Sequence, residues 1–232
     1  DLGDEATERT GRADGQVDGP ELEPLNDLPL VAPFRISIGE QSAANDLLVR
    51  VVTDQGLTGV GEACPFPPIT GETQSTNAAA ARAIRDTLIG KDPLAIEGLL
   101  REIGALVHSN PSAVAAYDMA LYDIIGKVAG LPLFRLFGSG RNQFETDTTT
   151  GIDTAQAMAA ETKKYAGWGY KTLKVKVGLD PDDDVARLQA VREAIGYDIN
   201  VRIDANQGWT VPQAIYALRK MEKFRIQLVE QP

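Results

Sequence analysis

Cysteine and histidine are nearly absent from this chain of 232 residues: Cys64 and His108 are the sole examples. One thiol allows no internal disulfide and fits a reducing cytosol, where the protein is expected. One imidazole excludes a multi-histidine metal centre. Any metal must then be held by carboxylates, which favours a hard cation such as Mg²⁺. No apolar run approaches the roughly 20 residues of a membrane span, so no membrane partner is expected. Basic residues are also in deficit. Lys and Arg total 23 against 33 Asp and Glu, a formal charge of −10, and no basic patch suggests nucleic acid. What remains is an ordinary soluble composition, 43% hydrophobic and 24% charged, long enough for one or two domains.

Much of the negative charge is local. Residues 1 to 27 hold nine acids and two arginines, −7 in all. Residues 1–19 therefore read as a disordered acidic leader. Strand patterns begin at Leu28: Phe34 to Ile38 alternates with period two, Asp46 to Thr53 is rich in β-branched residues, and Leu57 to Glu62 follows an Asp54-Gln55-Gly56 turn. A proline-rich loop, 65–73, precedes three helical patterns, Asn77–Leu88, Leu94–Val107 and Ser112–Ala129. The third carries Val114, Met119, Leu121, Tyr122 and Ile125 as apolar residues and stops at Gly130. Residues 20–140 thus read as an α+β domain of meander plus helices.

From Phe144 strands and helices alternate. Strands are expected at Asp147–Ile152, Thr172–Val177, Asn200–Asp204 and Ile226–Glu230. The helices between start at Thr154, at the acid-rich Asp180-Pro181-Asp182-Asp183-Asp184, and at Pro212, the last with Ile215, Leu218 and Met221 inward. Residues 141–232 then hold four β/α units, the first half of a TIM-like barrel.

Three strings end successive strands here: Lys174-Val175-Lys176, Arg202-Ile203-Asp204-Ala205-Asn206-Gln207-Gly208-Trp209, and Leu228-Val229-Glu230-Gln231-Pro232. Lys176 and Asp204 are 28 residues apart, Asp204 and Glu230 are 26 apart, and one barrel repeat takes about 25 to 30 residues. Each group therefore falls at the end of the next strand. Lys174 and Lys176 share one face of theirs. Inside a barrel mouth, mutual repulsion and a nearby cation would favour a neutral amine, a usable base. On an exposed edge strand they would merely be a polar face, but flanking helices argue for burial on both sides. Asp204 and Glu230 suit an oxygen site for Mg²⁺, although an acid after a strand can also cap the next helix. Asn206 either hydrogen-bonds within the site or shapes the turn.

On consecutive strands, Lys-x-Lys, Asp-Ala-Asn-Gln-Gly-Trp and Val-Glu-Gln-Pro resemble the enolase superfamily, muconate-lactonizing subgroup. The segment from Ala115 to Asp123, continuing to Gly130-Leu131-Pro132-Leu133, resembles that subgroup's capping-domain helix. Gly61-Glu62-Ala63, Pro68 to Thr73, and Glu145-Thr146-Asp147-Thr148-Thr149 look most like the dipeptide epimerases. The resemblance covers about residues 28 to 232. It implies that Asp204 and Glu230 bind Mg²⁺, which holds the substrate carboxylate. It implies that Lys176 removes the α-proton, that Lys174 supports the resulting charge, and that Thr149 touches a dipeptide or other carboxylate substrate. The capping loop, with Ile69 and Thr70, would close over the barrel mouth and contribute to specificity. A homo-oligomer is expected of the complete protein.

The same resemblance places a third metal carboxylate, an opposing lysine and an acidic substrate-binding motif on later strands, beyond Pro232. The expectation is a chain truncated after its fourth barrel strand, inactive as an epimerase by itself and marginally stable, with unpaired sheet edges. Gly39 stands where some Ala-Glu epimerases carry arginine, which leaves the second residue of the dipeptide open. A cycloisomerase or an o-succinylbenzoate synthase-like enzyme would share the same lysines and metal. A non-catalytic fragment or assembly module is the alternative from another class.

Overall fold

The computed structural model describes residues 15–232. The chain divides into two compact units: residues up to Leu28 with Ala44–Asn142, and Pro29–Ala43 with Gln143–Pro232. Most of the expected acidic leader lies outside the described residues. Its last part does not fit the expectation, because Val17 is buried at the start of a strand.

A three-stranded sheet runs in the order β1 (Val17–Ile36), β2 (Gly39–Thr53), β3 (Thr58–Ala63), and the first unit holds all of it except the Pro29–Ala43 segment. β1 begins well before the expected Leu28. It carries Pro20, Pro24, Pro29 and Pro33, which argue against a strand in sequence but are tolerated at a sheet edge, where β1 lies. β2 pairs antiparallel with β3 from Leu47↔Ala63 to Val52↔Thr58. Leu47, Val49 and Val51, two apart, turn one face of β2 into the core.

Helix α1 (Pro67–Thr70) lies in the proline-rich loop, followed by α2 (Gln74–Leu88), α3 (Ile96–Leu106), α4 (Pro111–Ala129) and the short α5 (Leu133–Leu136). The core joins β2 to Ala81, Ile84 and Leu88 of α2, Leu99 and Ile103 of α3, and Ala116, Tyr117, Ala120, Leu121 and Ile124 of α4. Met119, one of the apolar residues singled out on α4, faces outward instead. The small residues Ala116 and Ala120 let α4 approach β3 closely. A Cβ on Gly61 would lie 1.9 Å from the Ala116 carbonyl oxygen, so this position has no room for a side chain.

The second unit is a parallel sheet in the order β4 (Thr148–Thr150), β5 (Thr172–Lys176), β6 (Asn200–Asp204), β7 (Ile226–Glu230), with α6 (Ala155–Gly167), α7 (Pro181–Ile195) and α8 (Val211–Met221) between them. This β/α alternation matches part of a (β/α) barrel. The last three strands lie where the hydrophobic runs predict them, whereas β4 is shorter than the expected 147–152. Val175, Val201 and Ile203 face Met158 of α6, Leu188 and Val191 of α7, and Ala214, Ala217 and Met221 of α8. Ile215, expected inward, is 49% exposed. The alanines pack closest to the sheet, and the larger side chain turns outward. Among the described residues no helix is long and apolar enough to cross a membrane.

One arginine organises the strand-entry end of this unit. Arg192 is buried on α7 without a carboxylate partner among the described residues, and its guanidinium donates to the carbonyls of Phe224 (2.7 Å), Gly196 (3.0 Å), Ile199 (2.8 Å) and Arg225 (3.0 Å). These carbonyls precede β6 and β7, so one fork sets two strand starts. A lysine has three donors and no planar fork. Arg192→Lys is expected to cost about 2–4 kcal/mol, read as a lowered midpoint in urea denaturation. An unchanged midpoint would show that the cage contributes nothing.

Candidate active site

Strand register assembles the candidate site. Lys176 pairs with Asp204 and Asp204 with Glu230, so the three sit at one level across β5, β6 and β7. Lys174, two residues earlier, lies on the same face and is level with Thr149 of β4. The opposite face of these strands carries Val175, Ile203 and the helix-covered core. The alternation therefore separates chemistry from packing without interrupting either.

The charges are tightly paired. The Lys174 ammonium lies 2.8 Å from Asp204 Oδ2 and 2.8 Å from Glu230 Oε2. The Lys176 ammonium lies 2.7 Å from the same Asp204 oxygen and donates to Asn206 Oδ1 at 2.9 Å. Asp204 is buried and also accepts the Asn206 backbone N–H at 2.9 Å. Burial opposes ionisation of Asp204, but the hydrogen bonds from Lys174, Lys176 and Asn206 outweigh it and hold the carboxyl below its ordinary value. Burial likewise opposes the Lys174 ammonium, and Asp204 with Glu230 overcomes it, so its pKa is raised. The expected mutual depression of two adjacent lysines therefore fails for Lys174: a carboxylate sits between the ammonium groups and neutralises the repulsion.

Asn206 joins the cluster directly. It has φ +46°, its amide accepts from Lys176, and its Nδ2 donates to Gln231 Oε1 at 3.4 Å. The turn is thus shaped and the lysine held by the same residue. Two participants went unrecognised in the sequence. Phe34 places its ring centroid 6.0 Å from the Lys176 ammonium, and Ser37 Oγ donates to the Ala205 carbonyl at 2.7 Å. Both lie on residues 29–43, which group with the parallel-sheet unit rather than within a domain of residues 20–140. Their period-two pattern announced a strand but not where that strand would dock. Ile69 (half exposed) and Thr70, on α1, belong to the first unit.

The donor set fits a hard cation. Asp204 Oδ2 and Glu230 Oε2 converge on one ammonium, so two carboxylates already share a single cation position. No group of three or more His, Cys, Asp or Glu suited to a metal occurs among the described residues. Two carboxylates are nevertheless a common protein share for Mg²⁺, which keeps water or substrate as its other ligands. A separate cavity of about 650 Å³, lined by Glu145, Asp147, Trp168, Tyr170 and Arg202 among others, opens at the strand-entry end and includes neither Lys174 nor Lys176.

Comparison with known proteins supplies the relationship. Residues 21–138 match the family model of the mandelate racemase / muconate lactonizing enzyme N-terminal domain, and residues 157–232 match the enolase C-terminal domain-like model. The chain is 40% identical over 208 residues to an L-Ala-D/L-Glu epimerase of Clostridium acetobutylicum, covering 88% of this chain and 58% of the relative. It is 39% identical over 205 residues to a hydrophobic dipeptide epimerase of Enterococcus faecalis, again covering 88% and 58%. The chain thus spans about three-fifths of the length of these curated relatives. Among solved structures, the Enterococcus faecalis V583 dipeptide epimerase complexed with Mg and the dipeptide L-Leu-L-Tyr superposes with TM-score 0.91 at 37% identity. That match covers 94% of this chain and 61% of that one. The substrate-liganded L-Ala-D/L-Glu epimerase of Bacillus subtilis gives TM-score 0.90 at 38% identity, with the same coverage.

In EDTA the charge cluster should make stability depend on pH at both extremes. Asp204 is depressed on folding, so its contribution is complete above the ordinary value of 3.8 and is lost as pH falls through the lower folded value. Lys174 is raised, so its contribution is complete below 10.5 and is lost as pH rises through the higher folded value. Asp204→Asn should lower stability at neutral pH and flatten the acid limb in urea denaturation. An acid limb identical to that of the parent would show that this pairing does not stabilise the fold.

Proposed function

The chain belongs to the mandelate racemase / muconate lactonizing enzyme family of the enolase superfamily, and from that premise we propose that the whole protein is a Mg²⁺-dependent dipeptide epimerase. The reaction moves a proton at the carbon α to a carboxylate. The observation that carries this reading is one sheet face on which Lys176 is level with Asp204 and Glu230, with Lys174 two residues before it on the same strand. Relatives named as epimerases of dipeptides support the choice of substrate class.

A proton beside a carboxylate is too weakly acidic for a side-chain base unless preorganised positive charge meets the negative charge that develops. Mg²⁺ held by Asp204 and Glu230 would supply part of that charge at the substrate carboxylate. Lys176 takes the α-proton from one face. The residue is buried, with the Phe34 ring centroid 6.0 Å from its amine. Lys174, two residues away on the same face, lies close enough to share the developing charge. Asn206 holds Lys176 by its side chain and Asp204 by its backbone N–H, which keeps base and acid in register. Thr149, level with Lys174, would contact the substrate. The second face of the carbon needs a proton donor of its own, assigned here to the later strands of the barrel.

Protein expressed from the complete coding sequence should exchange the α-hydrogen of an L-Ala-containing dipeptide for deuterium in D₂O and invert that centre. EDTA should stop both. Lys176→Ala is expected to lower turnover roughly 10²–10⁴-fold with the fold intact, while Asp204→Asn weakens Mg²⁺ binding. Absence of exchange across a dipeptide panel would count against the reading, and a ring or alkene product would redirect it to a cycloisomerase or dehydrating synthase. Full activity in both variants would refute the site assignment.

A further inference from the structure

The carboxylate of Asp184 is completely buried in the first turn of α7, outside the lysine cluster, and every hydrogen bond it makes ends on a loop that follows a strand or on the residue that holds one. Its Oδ2 accepts the backbone N–H groups of Gly178 at 2.9 Å and Leu179 at 3.1 Å, immediately after Lys176 and Val177. The same oxygen accepts the indole N–H of Trp209 at 3.1 Å, from the loop that contains Asn206. Its Oδ1 accepts from Arg187 at 2.8 Å, and Arg187 Nε donates to the Asp153 carbonyl at 2.9 Å, in the loop after β4. One carboxylate thus fastens the loops after β4, β5 and β6, the strands that carry Thr149, Lys174 with Lys176, and Asp204.

The loops it fastens are also in backbone contact. Gly178 has φ +107°, and a Cβ there would lie 2.3 Å from the Ala205 carbonyl oxygen. A Cβ on Gly208 would lie 2.2 Å from the Gly178 carbonyl oxygen and 2.6 Å from the Ser37 side chain. Such contacts transmit displacement because there is no slack between the two backbones. Asn206, which bonds Lys176 and Asp204, sits within this stack between Ala205 and Trp209.

We infer that Asp184 is a positioning residue for the base: it clamps the three loops so that Asn206 and Asp204 hold the Lys176 amine in place. The inference rests on the function proposed above. A side chain placed this way acts as an outer support, and losing such a support typically costs 10- to 100-fold in activity. Displacement of a reacting group by about 1 Å has a comparable effect. An asparagine at this position keeps the shape but loses the charge and one acceptor oxygen.

In the protein expressed from its complete coding sequence, Asp184→Asn should lower kcat about 10- to 100-fold with KM within about threefold of the parent. Amide hydrogen exchange should quicken at Gly178 and Leu179, and also at Asn206, whose N–H Asp184 does not touch. Trp209→Phe, which removes one donor and leaves the carboxylate in place, should shift kcat in the same direction by less. If Asp184→Asn fails to fold, Trp209→Phe decides: a lower kcat at constant KM supports the clamp, and parental kcat overturns it. A folded Asp184→Asn protein with parental kcat overturns it too, as does a loss of activity that only tracks the folded fraction while Asn206 exchange is unchanged. A parent protein that exchanges no α-hydrogen on any dipeptide refutes the proposed function instead. The clamp is then judged by Asn206 exchange alone, which quickens in Asp184→Asn if the inference holds and stays unchanged if it does not.

Discussion

Everything at the candidate site depends on the register of parallel strands. Pairing Lys176 with Asp204 and Asp204 with Glu230 puts three ionisable groups at one level, and the two-residue period adds Lys174 on the same face. A slip of one residue would send all four into the helix-covered core, where Val175 and Ile203 now pack. The register is therefore doubly enforced. Apolar residues favour it on one face, and on the other Asp204 cannot be buried without ammonium groups to meet it. Fold and site are specified by the same alternation.

That coupling explains how much was legible in advance. Spacing alone placed Lys176, Asp204 and Glu230 on successive strand ends, because a β/α unit has a nearly fixed length and its strands are continuous apolar runs. The longer helices of both units followed from their apolar periodicity and their caps: Gly130 closes α4 in the left-handed conformation, and Asp180 caps α7. These signals are local, and each element could be read without knowing its neighbours.

What escaped reading is long-range. The first part of β1, before Leu28, was hidden by its prolines, which are acceptable because β2 lies on one side of β1 and, among the described residues, no strand on the other. Phe34 and Ser37 lie well over a hundred residues before the groups they contact, so no window of sequence could join them. Ile215 looked like a core residue by pattern, yet Ala214 and Ala217 allow the closer approach of α8 and were chosen by the fold. Asp184 looked like one more acid favouring the start of α7, in a run with Asp182 and Asp183. Its burial, not its type, separates it from them.

The pairing of Lys174 and Lys176 with Asp204 also sets a condition on catalysis. A general base must be neutral when it accepts a proton, and the Lys176 amine lies 2.7 Å from the buried Asp204 carboxylate. The carboxylates that steady the lysines are the ones that converge on a shared cation position. A divalent cation there would compete for both oxygens with two charges against one. The negative charge that faces both amines would then be offset. Under the proposed function the cation would then face the lysines as well as the substrate carboxylate. Asn206 then matters because its neutral amide oxygen accepts a hydrogen bond from Lys176 whether that group is an ammonium or an amine, and Asp204 would be left to hold the cation.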